Sequence, residues 1–519
     1  LLVAWAPDGK RLAFLSLEGP ELSGDPIMPA PGRHRRLWTV RPGSDSPEPV
    51  TPSNVTVWEF AWSPKSDQLA VFFSAGPDET DYYRGQIGMV SATGGAITQR
   101  TRLDRQAAAL TWSPDGSRIA YVSGEWSDRG LVGGDVFTLA AQGGEPRNLT
   151  EGIMCSPSLV RWQADGKRLL YAAWDGVGHQ VGWLDEATGT ATALARDLVI
   201  GEPAWPKVSA SATMDAIAVT RTIAGEHSLE LYLGTLRADG ISWRRLTHLN
   251  AALEESTAVS PTRVLHFTGA DGWDVEALYN PPVKPPASGT PPLVLNVHGG
   301  PSSAWVNNWS GGFLTQLLCG AGFGVLRVNS RGSMGRGVAF ADAVLGDMGG
   351  KDLEDLLAGV DEAVRLGLAD PERVGIAGWS YGGFMAAWAV SQVTRFKAAV
   401  MGAGICDYLS FHAQTNIPDW DMRFLKATPT EDPATYREKS ALSYATRIQT
   451  PTLILHGEQD ACVPVNQAYA FARALTERGV PVELVIYPRE GHGPQEKAHI
   501  EDMESRIVRW LSRYLKSEG

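Results

Sequence analysis

The chain has 519 residues, 43% hydrophobic and 20% charged, with a formal net charge of −12. That is apolar material for two large cores, whereas the acidic balance offers no basic face for nucleic acid and no apolar run approaches a membrane span. Cys155, Cys319, Cys406 and Cys462 follow neither CxxC nor zinc spacing, which reads as reduced thiols of a cytoplasmic protein with no metal site among them.

The first half repeats. Trp5, Trp62, Trp112, Trp162 and Trp205 recur at intervals of about fifty residues. Four of them open similar units: Ala4-Trp-Ala-Pro-Asp-Gly9, Ala61-Trp-Ser-Pro64, Thr111-Trp-Ser-Pro-Asp-Gly116 and Arg161-Trp-Gln-Ala-Asp-Gly166. The fifth, Ala204-Trp-Pro206, is degenerate. An alternating strand follows each turn, as in residues 11–16 and 118–123. This period and turn chemistry are those of β-propeller blades. Residues 1–258 are therefore expected to form a propeller with about five visible blades, each tryptophan packed between neighbouring blades and each Asp-Gly a hairpin turn.

A boundary is expected near Val259, and residues 259–519 read as a second domain. Residues 264–268 and 275–279 flank a turn at Asp271-Gly272 and predict a hairpin. A proline-rich stretch, 281–292, leads into a strand at 292–297 and the loop His298-Gly-Gly-Pro301. Further strands are expected at 324–328, 373–378, 396–400, 450–456 and 481–487, with helices at 353–366 and 500–515. In the last helix Ile507, Trp510, Leu511 and Tyr514 share one face and read as core. This alternation predicts a mostly parallel, doubly wound α/β sheet.

Gly378-Trp-Ser-Tyr-Gly382 lies between the strand at 373–378 and an apolar helix start. That context makes Ser380 a nucleophile on a sharp strand-to-helix turn, and its order with Asp460 and His492 is the Ser, Asp, His order of α/β-hydrolases. Asp460 is read as the acid, with Glu458 two residues earlier as the alternative. His492 is flanked by Gly491 and Gly493; His456 and His499 read as structural. The amide of Tyr381, at a helix N-terminus, and that of Gly300, in the glycine loop, are assigned as oxyanion donors.

His298-Gly-Gly-Pro301, Asn329-Ser-Arg-Gly-Ser333, Gly378-Trp-Ser-Tyr-Gly-Gly383, His456-Gly-Glu-Gln-Asp460 and Gly491-His-Gly493 together resemble the prolyl oligopeptidase family of serine peptidases, most closely its acylaminoacyl-peptidase branch. The resemblance implies an N-terminal β-propeller joined to a C-terminal α/β-hydrolase domain. It also implies a Ser380, Asp460, His492 triad and peptidase activity without a cofactor. Because propellers of the family often have seven blades, about two more are expected upstream. The family's propeller screens peptide size, so short peptides are the expected partners.

The segment 404–424 lies where this family builds the pocket for the residue at the cleaved bond. Tyr408, Phe411, Trp420 and Phe424 there would favour a hydrophobic residue, or else form aromatic core. Arg331 would bind a substrate carbonyl or carboxylate, or hold the active-site loop through an ion pair. An arginine facing the leaving side would make a carboxypeptidase rather than an acyl-peptide hydrolase, and endo-oligopeptidase activity is a third possibility. The adjacent Glu254-Glu255 pair lies in the linker and disfavours a dipeptidyl peptidase clamp. An inactive hydrolase fold serving as a scaffold and an esterase are the remaining readings. Exposed propeller edges are compatible with a homo-oligomer.

Overall fold

The computed structural model of the chain describes residues 2–17, 32–201, 206–224, 226–310, 312 and 314–516. Its contacts divide it into two compact units. The first comprises Leu1–Asp175, His179–Val219 and Tyr232–Arg244; the second comprises Gly176–Gly178, Thr220–Leu231 and Arg245–Gly519.

Five four-stranded sheets follow one another along the chain, each with its strands paired in sequence order. They begin at Val3–Trp5, Thr56–Trp62, Gln106–Trp112, Ser156–Trp162 and Ser209–Ala210. These are propeller blades. The first hairpin of each is closed by the same turn. Gly9, Gly116 and Gly166 donate to the carbonyls of Ala6, Ser113 and Gln163 at 2.9 Å, each with φ near +70°. Ser66 and Met214 accept the same left-handed backbone in the second and fifth blades (φ 59° and 54°), donating to Ser63 and Ser211 at 3.0 Å.

That register corrects the sequence reading of the fifth repeat. Met214 takes the place of Gly166, so Ala210, not Trp205, stands where Trp162 stands one blade earlier. Trp205 itself lies outside the described residues. The turn, not the tryptophan, fixes the repeat.

The expected packing of tryptophan between blades has a specific form. Trp62 Nε1 donates to the Ala4 carbonyl at 3.2 Å and Trp112 Nε1 to the Ala61 carbonyl at 3.0 Å, each reaching the residue before the tryptophan of the preceding blade. Arg11 and Arg118, two positions after the glycines that close their turns, lie over Trp62 and Trp162 of the following blades at 5.3 and 5.2 Å. Trp5 departs from the expectation: it is 54% exposed.

The second unit holds an eight-stranded sheet. Its strands are β1 (Arg263–Thr268), β2 (Asp274–Asn280), β3 (Leu293–Val297), β4 (Gly324–Asn329), β5 (Val374–Trp379), β6 (Ala398–Gly402), β7 (Thr452–Gly457) and β8 (Val482–Tyr487). The spatial order is β1-β2-β4-β3-β5-β6-β7-β8. β1 and β2 form the expected antiparallel hairpin, β2 runs antiparallel to β4, and the pairs from β4 to β8 are parallel. β3 to β7 are buried along almost their whole length, as parallel strands covered on both faces must be. Val294, Val325, Ala377, Val400 and Leu455 from the sheet share one core with Ile507, Trp510, Leu511 and Leu515 of the last helix. That is the helical face predicted for it, with Tyr514 packed at the margin.

The packing of Trp112 gives a stability test for the first unit. Trp112→Ala removes a buried indole and its hydrogen bond, and is expected to cost about 3–5 kcal/mol. The same change at exposed Trp5 is expected to cost less than about 1 kcal/mol. Urea unfolding followed by circular dichroism measures both.

Candidate active site

Ser380 stands between β5 and α1 (Tyr381–Gln392) with φ 61° and ψ −120°. A non-glycine residue held there stores on the order of 1–3 kcal/mol of strain, sustained only by surrounding packing. The surroundings are correspondingly tight. A Cβ on Gly382 would fall 2.2 Å from the Val297 carbonyl oxygen, and one on Gly378 would fall 2.4 Å from the Gly382 backbone. Ser380 N–H donates to Gly402 O, and Phe384 N–H to Ser380 O, both at 2.9 Å.

The loops after β7 and β8 bring two further side chains to the serine. Ser380 Oγ lies 2.9 Å from His492 Nε2, and His492 Nδ1 lies 2.7 Å from Asp460 Oδ2. A carboxylate only accepts, so Nδ1 carries the proton and Nε2 presents its lone pair to the hydroxyl. Asp460 Oδ1 accepts from the amides of Cys462 and Val463 at 2.9 and 2.8 Å. Burial alone would raise the Asp460 pKa, but hydrogen bonds from His456 and His492 override it and hold the carboxyl at about 2. Of the two histidines, His492 has the firmer hold: His456 Nε2 is 3.4 Å from the carboxylate and donates instead to the Val463 carbonyl at 2.7 Å. Glu458, the alternative acid, instead accepts from Arg489 N–H at 3.3 Å.

The His298 loop passes beside the serine: a Cβ on Gly299 would sit 3.4 Å from Ser380 Cβ. Gly300 has φ +120°, where an L side chain is strained. His298 is pinned by Gly299 O at 2.7 Å and Ser333 Oγ at 2.9 Å. Burial lowers its pKa to about 4, which keeps the ring neutral. Tyr381 provides the first N–H of α1, and its phenol donates to the buried carboxylate of Asp352. Burial raises the Asp352 pKa to about 6.

Arg331 forms an ion pair. Nε and Nη2 reach the two oxygens of Asp355 at 2.9 and 3.1 Å, Nη1 reaches Asp271 at 3.3 Å, and Nη2 also donates to Ala270 O at 2.7 Å. With 4% of its surface exposed, it has little left to offer a substrate. Arg336 pairs with Asp274 at 3.1 Å. Glu254 is likewise engaged, accepting from Ser228 N–H and Oγ at 2.8 and 3.0 Å.

Tyr408 and Phe411 on α2 (Tyr408–Gln414) and Trp420 and Phe424 on α3 (Pro418–Leu425) are all buried. They form a continuous aromatic cluster, edge-on for Tyr408–Phe411 (6.1 Å between centroids) and Phe411–Trp420 (5.8 Å) and stacked for Trp420–Phe424 (5.1 Å). Through Phe384, 5.4 Å from Tyr408 and 5.3 Å from Tyr381, the cluster reaches the residue after the serine.

Three polar contacts around the site have no motif of their own. Besides Asp352 on Tyr381, these are Trp379, whose Nε1 donates to the His492 carbonyl at 2.7 Å, and Glu490, two residues before the histidine. Trp379 fills a variable position of the serine motif and Glu490 lies next to Gly491-His-Gly493, and neither position marks a role in the sequence.

Residues 309–518 match the model of the prolyl oligopeptidase family. An uncharacterized peptidase of Bacillus subtilis, YuxL, is 36% identical over 280 residues, 52% of this chain and 42% of that protein. The acylamino-acid-releasing enzyme of Sus scrofa is 29% identical over 406 residues, 72% of this chain and 52% of that one. The chain thus spans about half the length of these relatives. An acylaminoacyl peptidase of Pyrococcus horikoshii superposes with TM-score 0.82 at 22% identity, over 100% of this chain and 82% of that one. Another structure, an acylaminoacyl peptidase in complex with Z-Gly-Gly-Phe-chloromethyl ketone, gives 0.79 at 22% identity over the same shares. At that identity the likeness is one of fold.

Two stability measurements probe the site's charges. Arg331→Met leaves the fully buried Asp355 without its cation, and is expected to cost about 3–5 kcal/mol in denaturant unfolding. The pKa of Asp460 in the folded chain is below its ordinary value of about 3.9. Its contribution is therefore complete above about pH 5 and is lost as pH falls through about 2. Asp460→Asn should lower stability by about 2–3 kcal/mol at neutral pH. That gap should close between pH 5 and pH 2; a gap independent of pH would contradict the assignment.

Proposed function

We propose that this chain, which belongs to the prolyl oligopeptidase family through its residues 309–518, is a serine peptidase that cleaves short peptides as an acylaminoacyl-peptidase-like exopeptidase. The observation that carries the reading is the hydrogen-bonded line from Ser380 through His492 to Asp460, with spacings of 2.9 and 2.7 Å. His492 Nε2 takes the hydroxyl proton as Ser380 Oγ attacks the peptide carbonyl. Asp460 keeps the imidazole in the right tautomer and stabilises its cation. The amides of Gly300 and Tyr381 receive the oxyanion, helped by the partial positive charge of the α1 N-terminus. The leaving amine takes its proton from His492, and water then releases the acyl group by the same steps. The residues of the site supply every proton transfer.

Tyr408, Phe411, Trp420 and Phe424, as buried as Arg331, are assigned to aromatic core behind the site rather than to a surface that touches substrate. The likeness to an acylaminoacyl peptidase in complex with a ketone of phenylalanine supports a hydrophobic preference. Arg331 is assigned to bracing the loop after β4 rather than to touching substrate. With Arg331 and Arg336 paired to carboxylates, neither favours a carboxypeptidase polarity. Four cysteines outside any disulfide suit the cytoplasm.

The experiment uses one hydrophobic heptapeptide in four versions, each end free or blocked, digested by the chain and by Ser380→Ala and read by mass spectrometry. Release of the blocked first residue, falling by about a millionfold in Ser380→Ala, is expected. Release only from a free C-terminus would mean a carboxypeptidase. No serine-dependent product, and no labelling of Ser380 by a fluorophosphonate, would leave the scaffold reading.

A further inference from the structure

The base of the proposed mechanism stands in a poorly supported stretch of chain. His492 lies between Gly491 and Gly493 in the loop from β8 to the last helix, Lys497–Leu515. Two glycines leave the flanking backbone without side chains to pack, and a misplaced base is costly to catalysis. Asp460 holds the ring and Trp379 holds the carbonyl of His492 itself. Neither closes the loop.

Glu490 does. Its side chain turns inward and is buried. Oε2 accepts from Gln495 N–H at 2.8 Å, and Oε1 accepts from Glu496 N–H at 2.9 Å and from His499 Nδ1 at 2.7 Å. Those two amides lie on the far side of His492 along the chain, so one carboxylate ties together the two ends of the loop that carries it. The backbone of the same residue faces the other loop: Glu490 O accepts from Gln459 N–H, next to Asp460, at 2.8 Å. The loops touch there, since a Cβ on Gly457 would fall 2.0 Å from Gly491 O. An outer pair, Arg489 with Glu496 at 2.7 Å, spans the same loop, but both partners are exposed and contribute little.

All three side-chain partners of Glu490 are donors. Only a carboxylate accepts from all of them; an amide would turn an NH₂ group against at least one. A cap for the last helix alone would need the Glu496 amide and nothing that reaches Gln459. We propose that Glu490 is a positioning residue that sets the His492 imidazole between Ser380 and Asp460, a role that rests on the peptidase reading above.

The test compares the parent chain with Glu490→Gln, His499→Phe and, as a surface control on the same helix, Glu501→Gln. Each is assayed for p-nitrophenyl butyrate hydrolysis and for the rate of Ser380 labelling by a fluorophosphonate, per folded molecule judged by near-UV circular dichroism. Glu490→Gln is expected to lower kcat and the labelling rate by about tenfold to a hundredfold, with KM within about twofold and the histidine limb of the pH–rate profile displaced. His499→Phe, which removes one of three donors, should show the same split at a few-fold. Glu501→Gln should match the parent. A folded Glu490→Gln with the parent's kcat and labelling rate overturns the proposal. So does a loss that appears in KM instead of kcat. If Glu490→Gln does not fold, His499→Phe decides: an unchanged kcat overturns the proposal and a lowered kcat at constant KM supports it. Failure of the parent itself to label at Ser380 overturns the peptidase reading and this inference with it. Normal labelling of both parent and Glu490→Gln overturns only the inference.

Discussion

Ser380 occupies backbone that a side-chain-bearing residue takes only when everything around it leaves no alternative. What enforces it is contact between main chains. Gly382 lies against the carbonyl of Val297, Gly378 against Gly382, and a Cβ on Gly383 would fall 2.1 Å from Gly402 O. Three strands and one helix are thereby brought closer than any methyl group permits. The consequence for the site is direct, because Val297 ends β3 and the next residues are the His298 loop. The packing that strains the serine is the packing that lays the proposed Gly300 donor beside it.

The rest of the site follows from strand order. β5, β6, β7 and β8 are consecutive parallel neighbours, so their C-terminal ends share one edge of the sheet, where open α/β sheets collect functional loops. Ser380 follows β5, Asp460 follows β7 and His492 follows β8. Each residue is on a loop, but each loop is tied: the serine by helix α1, Asp460 by the amides of Cys462 and Val463, and His492 by Trp379 and Glu490. Left-handed backbone occurs at the serine and at Arg489 in the His492 loop (φ 67°), while Asp460 sits in a hydrogen-bonded turn.

How much of this could be read in the sequence depended on whether a feature is local. The strand-turn-helix around Ser380 is legible because glycine spacing and apolar runs are local signals, and the strands appear within about two residues of where alternation predicts them. Asp460 was preferable to Glu458 only by its distance from the strand, and the structure brings Asp460 to His492. The propeller repeat was legible too, but its fifth member was not, since Ala210 has no side chain to mark it and the turn there ends in Met214 rather than glycine. Arg331 was ambiguous for a different reason. Its partner Asp355 lies on another element, and a charge pair between distant residues leaves no periodicity.

Tyr381 links features that are usually treated apart. Its amide is the proposed oxyanion donor, its phenol is tied to buried Asp352, and its ring begins the cluster that runs through Phe384 to Tyr408, Trp420 and Phe424. Asp352 carries one oxygen without a hydrogen-bond partner in a site that water does not reach, so the phenol is the chief compensation for a buried acid. Releasing that phenol to adjust the ring would leave the carboxyl still poorer in partners, which is costly in a low-dielectric interior. The ring is therefore fixed from its polar end, and the cluster inherits that fixity through edge and face contacts rather than through hydrogen bonds. The fixity of the aromatic core and the placement of the proposed oxyanion amide therefore rest on the same phenol–carboxyl contact.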